Sequence, residues 1–289
     1  MPEPLSPTVR RRRLAAELRR LREHAGMKGE EAARLLTWSA AKISRIETAK
    51  TLPKPVDVRK MLELYGKADA LGEDLLTLAR EADRKGWWEA YTDALPDRFD
   101  AFIGLEAEAE AACCWENDAV PGLFQTEEYA RATVLAVQPV FNLHPGQVDA
   151  RVEARMVRQA ILIQDKPIEL SVVADESVLL RRFGDRQVMR AQLERITAVA
   201  QLPNVTLRVL PLDGPHPVGA ASFTLLRFAP VYDITFHDVV YAEQLTGALY
   251  IEEERETYRY AQSFDRLVSE ALDPAKSLDL IARVAERTW

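Results

Sequence analysis

The stretch Gly29–Lys50, GEEAARLLTWSAAKISRIETAK, limits what this chain can fold into more than any other, because its apolar and basic residues sort onto opposite sides of a short helix. With a helix beginning near Ser39, the step of about 100° per residue puts Ile43, Ile46 and Glu47 on one side. Ala41, Ser44, Arg45 and Thr48 fall on the other, with Lys42 on the flank. One side can pack against a core, and the other is small and cationic.

Upstream, Lys28 to Leu36 forms a second apolar turn set, Ala32, Ala33, Leu35 and Leu36, separated from the first only by Thr37 and Trp38. Two short helices joined so tightly must cross steeply, which is the helix-turn-helix arrangement. Charge points the same way. Residues 1 to 66 carry 15 Lys and Arg against 8 Asp and Glu, a net of +7, whereas the remaining 223 residues carry 23 against 37, a net of −14. A polyanion belongs at the basic end, and the acidic remainder repels it. The run Arg10 to Arg13, with Arg19 and Arg20, reads either as a phosphate-contacting arm or as the solvated face of a helix.

The succession LRRLREHAGM, EEAARLL, KISRIETAK, a Pro-containing loop and VDVRKMLELYG resembles the Xre and phage-repressor helix-turn-helix family over residues 9 to 66. The resemblance implies an all-α, lambda-repressor-like head that binds double-stranded DNA. It places the recognition helix on Ser39 to Thr48, with Ala40, Ala41, Lys42 and Arg45 toward the bases. Arg11, Arg12, Arg13, Ser39, Ser44 and Lys50 are assigned to the DNA backbone. Lys42 and Arg45 can donate to guanine, and an alanine methyl can meet a thymine methyl. The same resemblance implies a partly buried ion pair between Arg22 and Glu47. Three positions depart from the pattern: Gly29 stands where a phosphate-binding Gln is common, and Thr37 and Ala49 stand where Gly is usual.

A bracing helix from Asp69 to Arg84 follows, with Leu71, Leu75, Leu76 and Leu78 at helical spacing, so the head is expected to occupy residues 1–85. Beyond Gly86-Trp87-Trp88, Asp97 to Cys114 is read as an amphipathic helix whose glutamates form its wet side. Thr126 should cap a helix with Glu127 and Glu128 in its first turn. A third helix spans Gln147 to Gln164, with Arg151, Arg155 and Arg158 in near-helical register. The period then changes to that of strands at Ile168–Ala174, Val205–Leu210, Ser222–Phe228, Val239–Glu243 and Ala248–Ile251, with a helix at Asp185–Ala200. Helices at Glu252–Ala271 and Leu278–Arg287 close the chain. The expected architecture is multidomain α+β, the all-α head followed by a larger mixed α+β domain over residues 86–289.

In that second region VPGLFQTEEYARA, EARMVRQAIL, ADESVLLRRFGDRQVMRAQLERI, PNVTLRVLPLDG and ASFTLLRF resemble the actinobacterial regulators that join an Xre-type head to a DUF5753 domain, described as antitoxin-like. The resemblance implies a DNA-binding transcription regulator whose large domain binds a protein partner or a small signal. A small DUF397-type partner protein is often encoded alongside such regulators. An antitoxin-like protein that neutralises a small partner and autoregulates is the alternative it also carries. Specificity on DNA argues for a homodimer, and the helices at 252–271 and 278–287, ending in Trp289, are the expected contact.

Catalytic chemistry finds little support. Asp175 and Glu176 are an adjacent acidic pair that Glu243 joins only if their strands are neighbours, and Glu176 is more simply the cap of the helix from Ser177. An enzyme with a DNA-targeting head would need such an assembled set. The sequence has no GxGxxG, P-loop or GxSxG. His144, His216 and His237 are scattered, so neither a metal nor a cofactor is expected. Cys113 and Cys114 are read as buried small hydrophobes in a helix, too close in sequence for an unstrained disulfide. Trp115, Phe124, Tyr129 and Arg155 have the character of a ligand pocket and equally of a core. The Arg-rich N-terminus has no apolar signal core, and no run approaches the ~18 apolar residues of a membrane span, so a cytoplasmic location is expected.

Overall fold

The computed structural model describes residues 7–67, 69–82, 86–97, 99–219, 221–230 and 236–289. They fall into two compact units, Met1–Glu89 with Ala229–Phe236, and Ala90–Phe228 with His237–Trp289. The chain therefore passes from one unit to the other three times. The segment at 229–236, expected from sequence to lie in the large domain, belongs to the first unit.

Among the described residues the first unit holds the α-helices α1 (Pro7–His24), α2 (Gly29–Leu35), α3 (Ala40–Glu47), α4 (Pro55–Leu64) and α5 (Ala70–Glu81). Arg84, at the end of the expected bracing helix, lies outside the described residues. Leu14, Leu18 and Leu21 recur at i, i+4 and i+7 on α1 and meet Ala32, Ala33, Ile43, Ile46, Val58, Met61, Leu75 and Leu78 in one core. Start signals are local: Ser39 Oγ accepts from Lys42 N at 3.2 Å, and Asp69 accepts from Gly72 N at 3.3 Å. Stops at Gly26 and Gly66 use positive φ, where glycine is at ease.

Thr37 and Ala49 also adopt positive φ, 57° and 55°, at the ends of α2 and α3. These are the two positions where the resemblance led one to expect Gly, and the backbone keeps the left-handed turn without it. A Cβ in that region costs about 1–2 kcal/mol. After allowing for the greater freedom of glycine in the unfolded chain, Ala49→Gly should stabilise the head by about 0.5–1 kcal/mol in denaturant melts. A destabilised Ala49→Gly would contradict the strain.

The second unit is built on one six-stranded sheet in the order β3-β2-β1-β4-β5-β6. In chain order its elements are α6 (Phe99–Glu106), β1 (Ala111–Glu116), α7 (Glu127–Phe141), α8 (Pro145–Arg158), β2 (Glu169–Asp175), α9 (Ser177–Leu180), α10 (Arg186–Val199), β3 (Val205–Leu210), β4 (Phe223–Arg227), β5 (Val239–Gln244), β6 (Gly247–Ile251), α11 (Glu254–Glu270) and α12 (Pro274–Arg287). β1, β2 and β3 pair in parallel, their crossovers made by α7–α8 and by α9–α10, whereas β4, β5 and β6 add an antiparallel meander.

The residues 111–116 correct the helix expected through Cys114: the helix ends at Glu106 and Ala111–Glu116 is a strand paired on both sides. A strand buried on both faces carries a continuous apolar run instead of an alternation, and Ala-Ala-Cys-Cys is as compatible with a buried helix. Alternation sends Cys113 and Trp115 to one face, with Val173, Phe223, Leu225, Val240 and the inner side of α11, Phe264 and Leu267. Ala112, Cys114 and Glu116 point to the other. Both cysteines are free and buried. Burial pushes both thiols up.

The apolar sides of α11 and α12, the helices expected to carry the dimer contact, pack within their own domain. Phe264, Leu267, Ile281 and Val284 are buried within the domain, and Trp289 Nε1 donates to Leu179 O at 2.9 Å.

Candidate nucleic-acid interface

In the head, α3 packs on α1 and α2. Ile43 and Ile46 are buried at 1% exposure, while Ala40, Ala41, Ser44 and Arg45 on the same helix are exposed. Eight residues are enough for this division because the apolar pair recurs at i, i+3.

Orientation of α3 rests on Arg22. Its Nε and Nη2 donate to the two carboxylate oxygens of Glu47 at 2.7 and 2.8 Å, and its Nη1 donates to Met27 O at 2.7 Å. The fork thus ties the last turn of α3 and the α1–α2 loop to α1. Hydrogen bonding to Glu47 raises the Arg22 pKa against the opposing pull of burial. Both side chains are about nine-tenths buried. Glu47→Ala should therefore destabilise the head by about 3–5 kcal/mol, through an uncompensated Arg22, in calorimetry of the full chain. An unchanged head transition would show that the pair is dispensable.

Two cationic assignments change. Lys42, expected to read bases, lies with Nζ 2.9 Å from Asp57 Oδ2 and 3.6 Å from the centre of the Trp38 ring. Its long stem bends back to α4, so it braces α3 instead of projecting from it. Arg13, expected on phosphate, is 1% exposed, donates from Nη2 to Ala229 O at 3.0 Å and sits over the Phe236 ring. Arg10 is buried likewise, donating to Glu81 O at 3.0 Å. The arginine run is wound into α1, and helical geometry turns its first and fourth members inward. Arg11 and Arg12 are half-buried, while Arg19 and Arg20 pair with Glu23 and Glu17. Ser39 and Lys50 are exposed at either end of α3.

Of the residues considered for a ligand pocket, Trp115 is packed beneath α11 on one face of the sheet. Phe124 and Tyr129 are fully buried, the Tyr129 hydroxyl accepting from Val120 N at 3.2 Å. Arg155 alone stays part-exposed, with Nη1 donating to Gln125 Oε1 and Thr133 Oγ1, both at 2.9 Å. The loop carrying Phe124 and Gln125 is pinned from several sides. The buried Gln192 donates to Phe124 O and accepts from Thr126 N, both at 2.8 Å, and Gln159 Nε2 donates to Gly122 O and Gln125 O.

Around Arg155 the structure gathers groups that the sequence left unremarked. Arg158 donates from Nε and Nη2 to Glu106 at 2.5 and 3.0 Å and lies over Phe99 and Phe102. Glu106, expected on a wet face, is 2% exposed. Phe102 stacks on Tyr241 with ring centres 4.1 Å apart. Burial pushes the Glu116 carboxyl from 4.5 up to about 8, the Ser222 hydrogen bond opposing and the Glu243 charge adding. The helix register of Arg151, Arg155 and Arg158 was the one sequence signal for this cluster.

A folded-state pKa above the unfolded value means that the native state holds this proton more tightly, so Glu116 lowers stability as pH rises from about 4.5 to 8. Glu116→Gln should lose that decline. Melting curves of the two proteins are expected to diverge across this window, the wild type becoming relatively weaker toward pH 8. Parallel curves would contradict the raised pKa.

The acidic trio considered for catalysis is not assembled. Asp175 Oδ1 accepts from Ser177 N at 2.9 Å, taking the capping role expected of Glu176, and Glu176 accepts instead from Leu212 N. Glu243 is on β5, separated from β2 by β1 and β4. His144 caps α8, its Nδ1 accepting from Gly146 N while Gln147 reciprocates. Among the described residues no group of three His, Cys, Asp or Glu could hold a metal, and no helix is long and apolar enough to cross a membrane.

A pair of short helices on a five-helix core, with a polar outer side on the second, defines a helix-turn-helix DNA-binding domain; the chain is of the DNA-binding regulator class, with a mixed α+β domain following. Residues 13–75 match the family model of a helix-turn-helix domain. Residues 99–283 match a domain of unknown function, DUF5753, and the chain belongs to that family. No curated protein and no solved structure matches it.

Proposed function

We propose that this protein is a cytoplasmic, sequence-specific transcription regulator that reads DNA with the outer side of α3 and uses its α+β domain to assemble and to sense a partner or ligand. The observation that carries the reading is the division of α3, where Ile43 and Ile46 are buried and Ala40, Ala41, Ser44 and Arg45 are exposed. Arg45 is the base-reading donor, with the Ala40 and Ala41 methyls beside it, and Ser39, Ser44 and Lys50 serve the phosphates. Lys42 acts from behind, holding α3 to α4. The DNA-binding domain favours regulation over enzymatic chemistry.

Selection of bound duplexes from a random library gives the operator. On that operator Arg45→Ala should cost about 1–3 kcal/mol and relax discrimination at one or two base pairs. Arg13→Ala, by contrast, should lower the melting temperature. Unaltered base preference in Arg45→Ala would remove α3 as the reading element.

One head offers a single short recognition helix, and useful specificity needs two half-sites about one helical turn apart. A two-fold homodimer is therefore part of the reading. Light scattering at micromolar concentration should return twice the chain mass. A monomer that still binds the selected operator would refute it.

A further inference from the structure

Arg151, Arg155 and Arg158 lie at i, i+4 and i+7 on α8 and so share one side of that helix. Their partners differ. Arg158 is matched by Glu106, and Arg151 Nε donates to Ala94 O at 2.6 Å. Arg155 has only neutral acceptors, both served by Nη1, and among the described residues no carboxylate lies within ion-pair distance of it. Its Nε and Nη2 remain without a hydrogen bond there, and the side chain is part-exposed. Loss of water pulls the Arg155 guanidinium down to about 10, with the Arg158 charge adding to the effect and Glu243 opposing it. A guanidinium drawn this far out of water, with no carboxylate in hydrogen-bond reach, keeps two donors turned to the solvent-facing side.

We propose that Arg155 is the anchor of a binding site for a small oxyanion, a carboxylate or phosphate group accepted by Nε and Nη2. The planar fork matches two oxygens of such a group, and this charge-assisted geometry is the strong form of the hydrogen bond. The fork is also held in place before anything binds. Gln125, which receives Nη1, donates to Val120 O at 2.7 Å, and its own backbone oxygen is held by Gln159. Arg151 adds a second positive charge on the same side of α8. Glu243, exposed at the end of β5, is the negative group an incoming anion must tolerate. Glu116 holds its proton near neutral pH and so adds little repulsion. The site rests on the reading of the large domain as a sensor and gives that domain a ligand class.

The test uses the full-length protein with inorganic phosphate and with citrate as separate probes, against chloride at matched ionic strength. One or both should raise the melting temperature, and the stronger of the two identifies a phosphate or a carboxylate ligand. Calorimetric affinity for that probe should fall about tenfold or more in Arg155→Gln and stay unchanged in Arg190→Gln, an exposed arginine on α10. If Arg155→Gln does not fold, the Arg155 Nε–H resonance of the wild-type protein should shift on titration with the same probe, its assignment made in Arg155→Lys. The proposal is overturned if neither probe moves the melt or that resonance, or if Arg155→Gln binds as well as Arg190→Gln. Operator affinity measured alongside separates the two claims. A probe that binds through Arg155 but leaves DNA affinity unchanged supports the site and removes the sensing role, whereas failure to bind removes the site alone.

Discussion

The forked ion pair from Arg22 to Glu47 is the interaction on which the head depends. One guanidinium, nine-tenths buried, fixes the last turn of α3 through two oxygens and the α1–α2 loop through Met27 O. Such a pair adds modest net stability while making any other arrangement leave a buried charge unmatched. Recognition requires that kind of geometric constraint, because a base-reading side chain displaced by an ångström loses its partner. Lys42 works to the same end from the far side, tying α3 to Asp57 of α4. The cations closest to the expected reading surface are thus divided between holding the helix and leaving Arg45 exposed.

The large domain repeats the theme with a different outcome. Its mixed sheet puts an aliphatic and aromatic core beneath α11 on one face, and on the other a buried polar layer in which Glu106 satisfies Arg158. Side-chain amides of Gln125, Gln159 and Gln192 close the loop between β1 and α7. Buried polar layers of this kind hold a domain rigid when every member is satisfied. Arg155 stands out within it because, among the described residues, its hydrogen-bond partners are all neutral.

Much of this was legible in the sequence. Periodicity located the helix pair in the head and the five strands after residue 168, since those strands carry β-branched residues between clear turn signals. The resemblance carried Arg22 and Glu47, which the structure places 2.7 Å apart. What escaped did so for identifiable reasons. β1 is central and buried on both sides, so its Ala-Cys run held no alternation, and the preceding Ala-Glu stretch favours helix. The burial of Arg13 involves Ala229, 216 residues further on, which no local pattern reports. Trp115 and Arg155 looked like companions until pairing in the sheet sent the tryptophan to the face beneath α11. Asp175 displaced Glu176 as a cap because backbone geometry at a strand end selects the residue whose oxygen reaches two positions ahead.

The most direct test of the account is the affinity of the full-length protein for its selected operator and for a scrambled duplex, each measured over a series of salt concentrations. An α3 that reads bases on a phosphate-anchored head predicts that affinity falls steeply with salt on both duplexes. It also predicts that the operator stays about 10³-fold or more tighter than the scrambled sequence. Equal affinity for the two duplexes, or binding indifferent to salt, would contradict it.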